Sequence, residues 1–108
     1  MHTTDLLKRA DELLLMGKAV LSTAYSTGGQ FNVNYVKSAP MAGFRSAVLS
    51  FIHRTFGKDH PHFAEFTTQA SRDFRSNAED SVAILQAIRD EIAGGWMFTI
   101  KGLGVCRA

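Results

Sequence analysis

The chain has 108 residues, enough for one domain with a real core, and its 45% hydrophobic and 20% charged residues are those of an ordinary globular protein. A net charge of +2 is too small to argue for nucleic acid or an anionic membrane on electrostatics alone. One cysteine, Cys106, excludes an intrachain disulfide framework, and no run approaches 18 uncharged apolar residues, so no membrane span is expected.

Residues 4–24 carry Leu6, Ala10, Leu13, Leu14, Val20, Leu21 and Ala24 at spacings of three and four, the pattern of one helical stripe. Thr3 or Thr4 can cap this helix, and Asp5 suits its first turn. Gly17 lies on the apolar stripe, where it costs about 1 kcal/mol relative to alanine but admits close approach of another helix. Asp5, Lys8, Arg9, Asp11 and Glu12 interrupt the apolar residues, so there is no signal-peptide core and the cytoplasm is the expected compartment.

Residues 26–38, "STGGQFNVNYVKS", break the helical period. Phe31, Val33 and Tyr35 alternate with Asn32, Asn34 and Val36, a period of two that predicts a short extended segment. Residues 39–56 return to helix, with Met41, Phe44, Val48, Phe51, Ile52, Thr55 and Phe56 on one face and Arg45, Ser46, Ser50, His53 and Arg54 on the other. Ser38 and Pro40 are start signals, and Gly57 is a stop.

A third helix is expected over residues 60–70, capped by Asp59 or His60, with Pro61 in its first turn and Phe63, Phe66 and Ala70 inward. Ser76 and Glu79 have the spacing of a capping box for a fourth helix reaching Ala93, with Val82, Leu85, Ile88 and Ile92 inward. In the tail, Trp96, Phe98 and Ile100 alternate with Met97, Thr99 and Lys101, an apolar edge that would seek the "FNVNYV" segment of its own chain or of a partner. The expected architecture over residues 1–108 is a single all-α domain, a four-helix up-and-down-like bundle with one short two-stranded β pair.

The stretch "RTFGKDHPHFAEF", residues 54–66, gathers two histidines, two cations and two carboxylates. Local physics accounts for most of it as a bend: Gly57 ends a helix, Asp59 and Pro61 open one, and Phe56, Phe63 and Phe66 are core. A metal set would draw on His60, His62 and Glu65, with His53. On a helix, however, His60 and His62 diverge by about 200°, only an extended backbone would let them converge, and no second cluster completes a zinc site, so neither a metal nor a cofactor is expected. Cys106 has no evident base, no serine sits in a G-x-S-x-G elbow, and "TGG" and "GLG" lack the Lys-Ser/Thr of a phosphate loop. Glu79, Asp80, Asp90 and Glu91 are expected on a solvated face.

Arg54 and His60, separated by "TFGKD", resemble the Arg and His pair of HEPN-type helical ribonucleases, which implies that the two polarise a 2′-hydroxyl beside a phosphate. With seven arginines and four histidines, roughly 0.8 such spacings arise by chance, so RNA binding or cleavage is the alternative reading. A basic set of Arg45, His53, Arg54, Lys58, Arg72 and Arg75 lacks interleaved aromatics and faces four carboxylates on the fourth helix. Phe31, Tyr35, Trp96, Phe98 and Ile100 lie outside the clean helical stripes, and such an apolar set either marks a partner interface or closes one end of the core.

The segments "ADELLLMGKAVLST", "TFGKDHPHF" and "EIAGGWMFTIKGL" resemble a helical N-terminal module of uncharacterised bacterial mobile-element and defence-associated proteins, over residues 5–103. No catalytic motif accompanies the resemblance. It implies a module that precedes a second helical or effector domain, and here a freestanding or truncated copy of the kind that integron gene cassettes carry. The expected function is therefore non-enzymatic association, as a homodimer or with a protein partner, through the aromatic set.

Overall fold

A computed structural model describes residues 3–26, 28 and 33–94. These residues form α1 (Thr3–Leu21), β1 (Tyr25–Ser26), β2 (Asn34–Tyr35), α2 (Ser38–Phe56), α3 (Pro61–Gln69) and α4 (Arg75–Gly94). The expected all-α bundle with a short β pair is the observed architecture. Each helix runs antiparallel to the next, and α4 returns to α1: Asp11 bonds to Arg89, Gly17 sits against Val82 and Phe44, and His62 bonds to Glu91.

The apolar stripes read from the sequence close on one another. Leu6, Ala10, Leu13 and Val20 of α1, Met41, Phe44, Val48 and Ile52 of α2, Phe66 of α3, and Leu85, Ile88 and Ile92 of α4 form one buried cluster. Fully burying a side chain of this size contributes about 1.5–3 kcal/mol. Two small polar residues share the core. Ser81 donates to the Asn77 carbonyl at 2.7 Å, one turn earlier, whereas the buried Thr55 Oγ1 has no hydrogen-bond partner among the described residues.

Gly17 sets the closest helix approach. A Cβ built there would lie 2.6 Å from Val82 Cγ2 and 3.0 Å from the Phe44 ring. Real Cβ atoms do not approach a neighbour that closely, so α1 can touch both α4 and α2 at this level only through a residue without a side chain. Phe44 is fully buried and packs edge-to-face on Phe66 at 5.9 Å, so its ring has nowhere to retreat.

The short extended segment finds a partner earlier in the chain, while the tail segment 96–101 considered as its partner lies outside the described residues. β2 pairs antiparallel with β1, with Tyr25 opposite Tyr35 and Ser26 opposite Asn34. α1 ends at Leu21, three residues before the predicted end, and the chain turns into β1 directly. The hairpin is fastened to the bundle by Tyr35 bridging Phe74, by the Val36 N–H donating to the Asp73 carbonyl at 2.8 Å, and by ring stacking of Tyr25 on Tyr35 (5.8 Å) and Tyr35 on Phe74 (5.2 Å). Arg45 closes the same end, donating from Nε to the Ala70 carbonyl at 2.6 Å and pairing with Asp73 at 3.6 Å.

Helix ends follow local chemistry. Gly57 adopts φ 92° after α2, a value that costs glycine nothing. His60 caps α3 as expected, its Nδ1 accepting from the His62 N–H at 3.1 Å, and Pro61 occupies the first turn. The capping box at Ser76 does not form as predicted. α4 already begins at Arg75, which places Ser76 inside the first turn, and Glu79 pairs with Arg75 at 3.5 Å.

Replacing Gly17 with alanine sets a helix-propensity gain of about 1 kcal/mol against overpacking that costs about 1–3 kcal/mol. Because Val82 is β-branched and Phe44 immobile, overpacking wins. Urea denaturation of Gly17→Ala is expected to show a net loss of about 1 kcal/mol. A non-additive recovery in Gly17→Ala/Val82→Ala would identify Val82 as the obstacle.

Candidate functional site: a cleft between α1 and α2

α1 and α2 meet through their buried stripes, but their outer flanks do not close over each other. They leave a cavity of about 750 Å³ lined by Asp5, Arg9, Gly43, Ser46, Ala47, Ser50, Phe51, Arg54 and Thr55. The α2 wall follows from helical spacing: Gly43, Ala47, Ser50 and Arg54 recur at three and four, so they stack along one edge. The side chains on that edge stay small until Arg54. Gly43 is exposed, and a Cβ there would meet nothing within 4 Å, so the chain's own packing does not require a glycine at this point.

The polar groups concentrate at one end. Asp5 and Arg54 have opposite charge, both are exposed, and both line the cavity. Neither makes a hydrogen bond or an ion pair with any described residue, so each charge is free for another partner. Arg9 is already engaged with Glu12 at 3.1 Å. Thr55, next to Arg54 and only 5% exposed, adds a hydroxyl oxygen that is sealed and unbonded. A buried hydroxyl left without a partner costs about 1–3 kcal/mol, a cost the fold carries at this end of the α2 wall.

His60 does not line this cleft. Two positions after residue 54, Phe56 points about 200° away around α2. His60 lies on Phe56, with ring centroids 4.6 Å apart, and 4.7 Å from His62. Arg54 lines the cleft and His60 does not, so the pair suggested by the ribonuclease resemblance is not gathered around one cavity.

His60 and His62 take the extended-backbone alternative, the one arrangement in which the two rings can converge. His60 precedes the helix with extended backbone angles, φ −73° and ψ 142°, so the helical 200° rule does not apply and the two rings converge. They do not form a ligand set. His60 Nδ1 is used as the α3 cap, His62 Nε2 donates to Glu91 Oε2 at 2.9 Å, and Glu65 lies 3.8 Å from His62 Nδ1. Among the described residues, no group of three His, Cys, Asp or Glu side chains is placed to hold a metal ion. Glu91, expected on a solvated face, is instead the α4 anchor of α3.

The basic set is dispersed. Arg45 is tied to Ala70 and Asp73, Arg75 to Glu79, and His53 packs edge-on to Phe63 at 6.4 Å, beside Lys58. The expected lack of neighbouring aromatics is corrected at the hairpin, where Arg72 shares a cavity of about 520 Å³ with Tyr25, Tyr35 and Phe74, and Lys37 Nζ lies 4.6 Å over the Tyr25 ring. These rings stack mainly on one another. Of the proposed interface residues, Tyr35 is held in that stack, whereas Phe31, Trp96, Phe98 and Ile100 lie outside the described residues.

Sequence reasoning placed Asp5 as a dipole charge, Thr55 as core and Ser46 and Ser50 as plain surface. The missed signal is the small-residue spacing of Gly43, Ala47 and Ser50 leading to Arg54. No family model, curated protein or solved structure matches the chain.

His62 joins α3 to α4 with only 15% of its side chain exposed. His62→Ala is expected to lower unfolding free energy by about 1 kcal/mol and to raise amide hydrogen exchange in α3 before that in α1. Uniform loss of protection across all helices would assign His62 to the global core instead.

Proposed function

We propose that the protein is a non-catalytic binding module and that the α1–α2 cleft is its receptive surface. The observation that carries this reading is the cleft itself: about 750 Å³, with a small-residue wall and two exposed opposite charges, Asp5 and Arg54, that pair with no described residue. That volume falls within the usual 300–1,000 Å³ of small-molecule sites, which join apolar walls to a few convergent polar groups. An RNA-cleaving reading needs Arg54 and His60 at one phosphate, and their different surroundings favour binding over chemistry. The reading keeps the sequence-level expectation of a non-enzymatic module and moves the contact surface from the aromatic set to the cleft.

A suitable probe is 1-anilinonaphthalene-8-sulfonate, whose aromatic body and anionic group match Phe51 and Arg54. The folded chain is expected to enhance its fluorescence. Gly43→Gln/Ser50→Gln places long polar side chains along the wall at exposed positions and is expected to weaken probe binding at least fivefold with a melting temperature that does not fall, since Gln favours the helix over Gly. Equal enhancement by this variant would place the probe elsewhere and remove the cleft as the receptive surface.

Self-association is a second reading, favoured by Leu15, a large apolar side chain 66% exposed on α1 beside the α1–α4 seam. Light scattering is expected to give a two-chain mass that Leu15→Lys reduces to one. A single-chain mass for the unaltered protein at high concentration removes the homodimer.

A further inference from the structure

We propose that the cleft selects a zwitterion with an apolar side group: a compound carrying both an ammonium and a carboxylate, as free apolar amino acids and short apolar peptides do. This inference rests on the reading of the cleft as the receptive surface and names the chemistry that surface takes.

Charge and desolvation decide which ligand the cleft takes. Asp5 and Arg54 line one cavity, yet their charged atoms are not within the 4.0 Å of an ion pair, and neither has another partner among the described residues. A purely anionic ligand would meet Arg54 favourably but bring its charge towards Asp5. A purely cationic ligand would meet Asp5 but face Arg54 and Arg9. A neutral apolar ligand would strip water from both charges and replace none of it, and an uncompensated charge is costly to desolvate. A zwitterion answers both. Its carboxylate accepts from the planar Arg54 guanidinium, which suits that geometry, and its ammonium donates to Asp5.

Thr55 completes the cleft wall beside Arg54, its hydroxyl sealed behind the surface and outside the ligand's reach. The remainder of the cleft is Phe51, Ala47 and Gly43, a surface for an aliphatic or aromatic side group. Gly43, which no contact among the described residues requires, keeps that end open.

The alternatives elsewhere are weaker. The hairpin cavity holds Lys37 and Arg72, but its rings are stacked on one another and Asp73 is bonded to Arg45. The histidine cluster is consumed by the α3 cap and by Glu91.

The test is titration of the full ¹⁵N-labelled chain with L-leucine, L-phenylalanine and leucyl-leucine, alongside leucinol, which lacks the carboxylate, and 4-methylvalerate, which lacks the ammonium. The zwitterions are expected to shift the Gly43, Ala47, Phe51 and Thr55 amides, and each analogue with one charge to bind at least tenfold more weakly. Arg54→Gln is expected to weaken leucine at least tenfold while leucinol binds no more weakly, and Asp5→Asn to weaken leucine while 4-methylvalerate binds no more weakly. Binding of the dipeptide alone would assign the source as peptides, and binding of the amino acids as free metabolites. Absence of zwitterion shifts while anilinonaphthalene sulfonate still binds the cleft overturns this inference and leaves the binding reading standing. Loss of both removes both. Zwitterion affinity that survives Arg54→Gln and Asp5→Asn also overturns it.

Discussion

The bundle depends on the contact at Gly17. Three helices converge there, and the space for a Cβ is already filled by Val82 from one side and Phe44 from the other. Close packing of this kind fixes helix separation more tightly than apolar burial alone, because burial is tolerant of direction and overlap is not. Phe44 then transmits the constraint to α3 through its edge contact with Phe66. The glycine loses backbone entropy in a helix interior, and the packing it permits on two sides offsets that loss.

The same approach explains where the cleft lies. With the inner faces of α1 and α2 drawn together at Phe44, their flanks still diverge towards the α1 N-terminus and the α2 C-terminus, where Asp5, Arg54 and Thr55 stand. The antiparallel order brings these residues to one end. Side chains large enough to close the seam are absent from the α2 edge, which carries Gly43, Ser46, Ala47 and Ser50. Burial and charge are thus separated within a few residues: Phe51 and Ile52 complete the core while Arg54 faces out.

The polar groups divide into those that hold the fold and those that do not. Arg45, Asp73, His62, Glu91, Arg89 and Asp11 tie neighbouring elements across the surface. Exposed pairs of this kind each contribute about 0–1 kcal/mol, so they select which elements are neighbours more than they set total stability. Asp5 and Arg54 take no part in these ties, and the binding reading rests on that difference in use between residues of the same chemical types.

The chain by itself determined the four helices and their inner faces, because a period of 3.6 in Leu, Phe, Ile and Val admits one buried side and Gly57, His60 and Pro61 are local stop and start signals. It also marked Gly17 as a point of close approach. Tertiary structure alone decided the pairing of β2 with Tyr25 and Ser26, the convergence of His60 on His62, the attachment of Glu91 to α3, and the joining of Asp5 to Arg54 and Thr55 across two helices. Each of these joins residues distant in sequence or turns on a single backbone angle. Periodicity reports the face a residue occupies; its neighbour on the facing element is set by how deeply the helices interpenetrate, and here Gly17, Val82 and Phe44 set that depth.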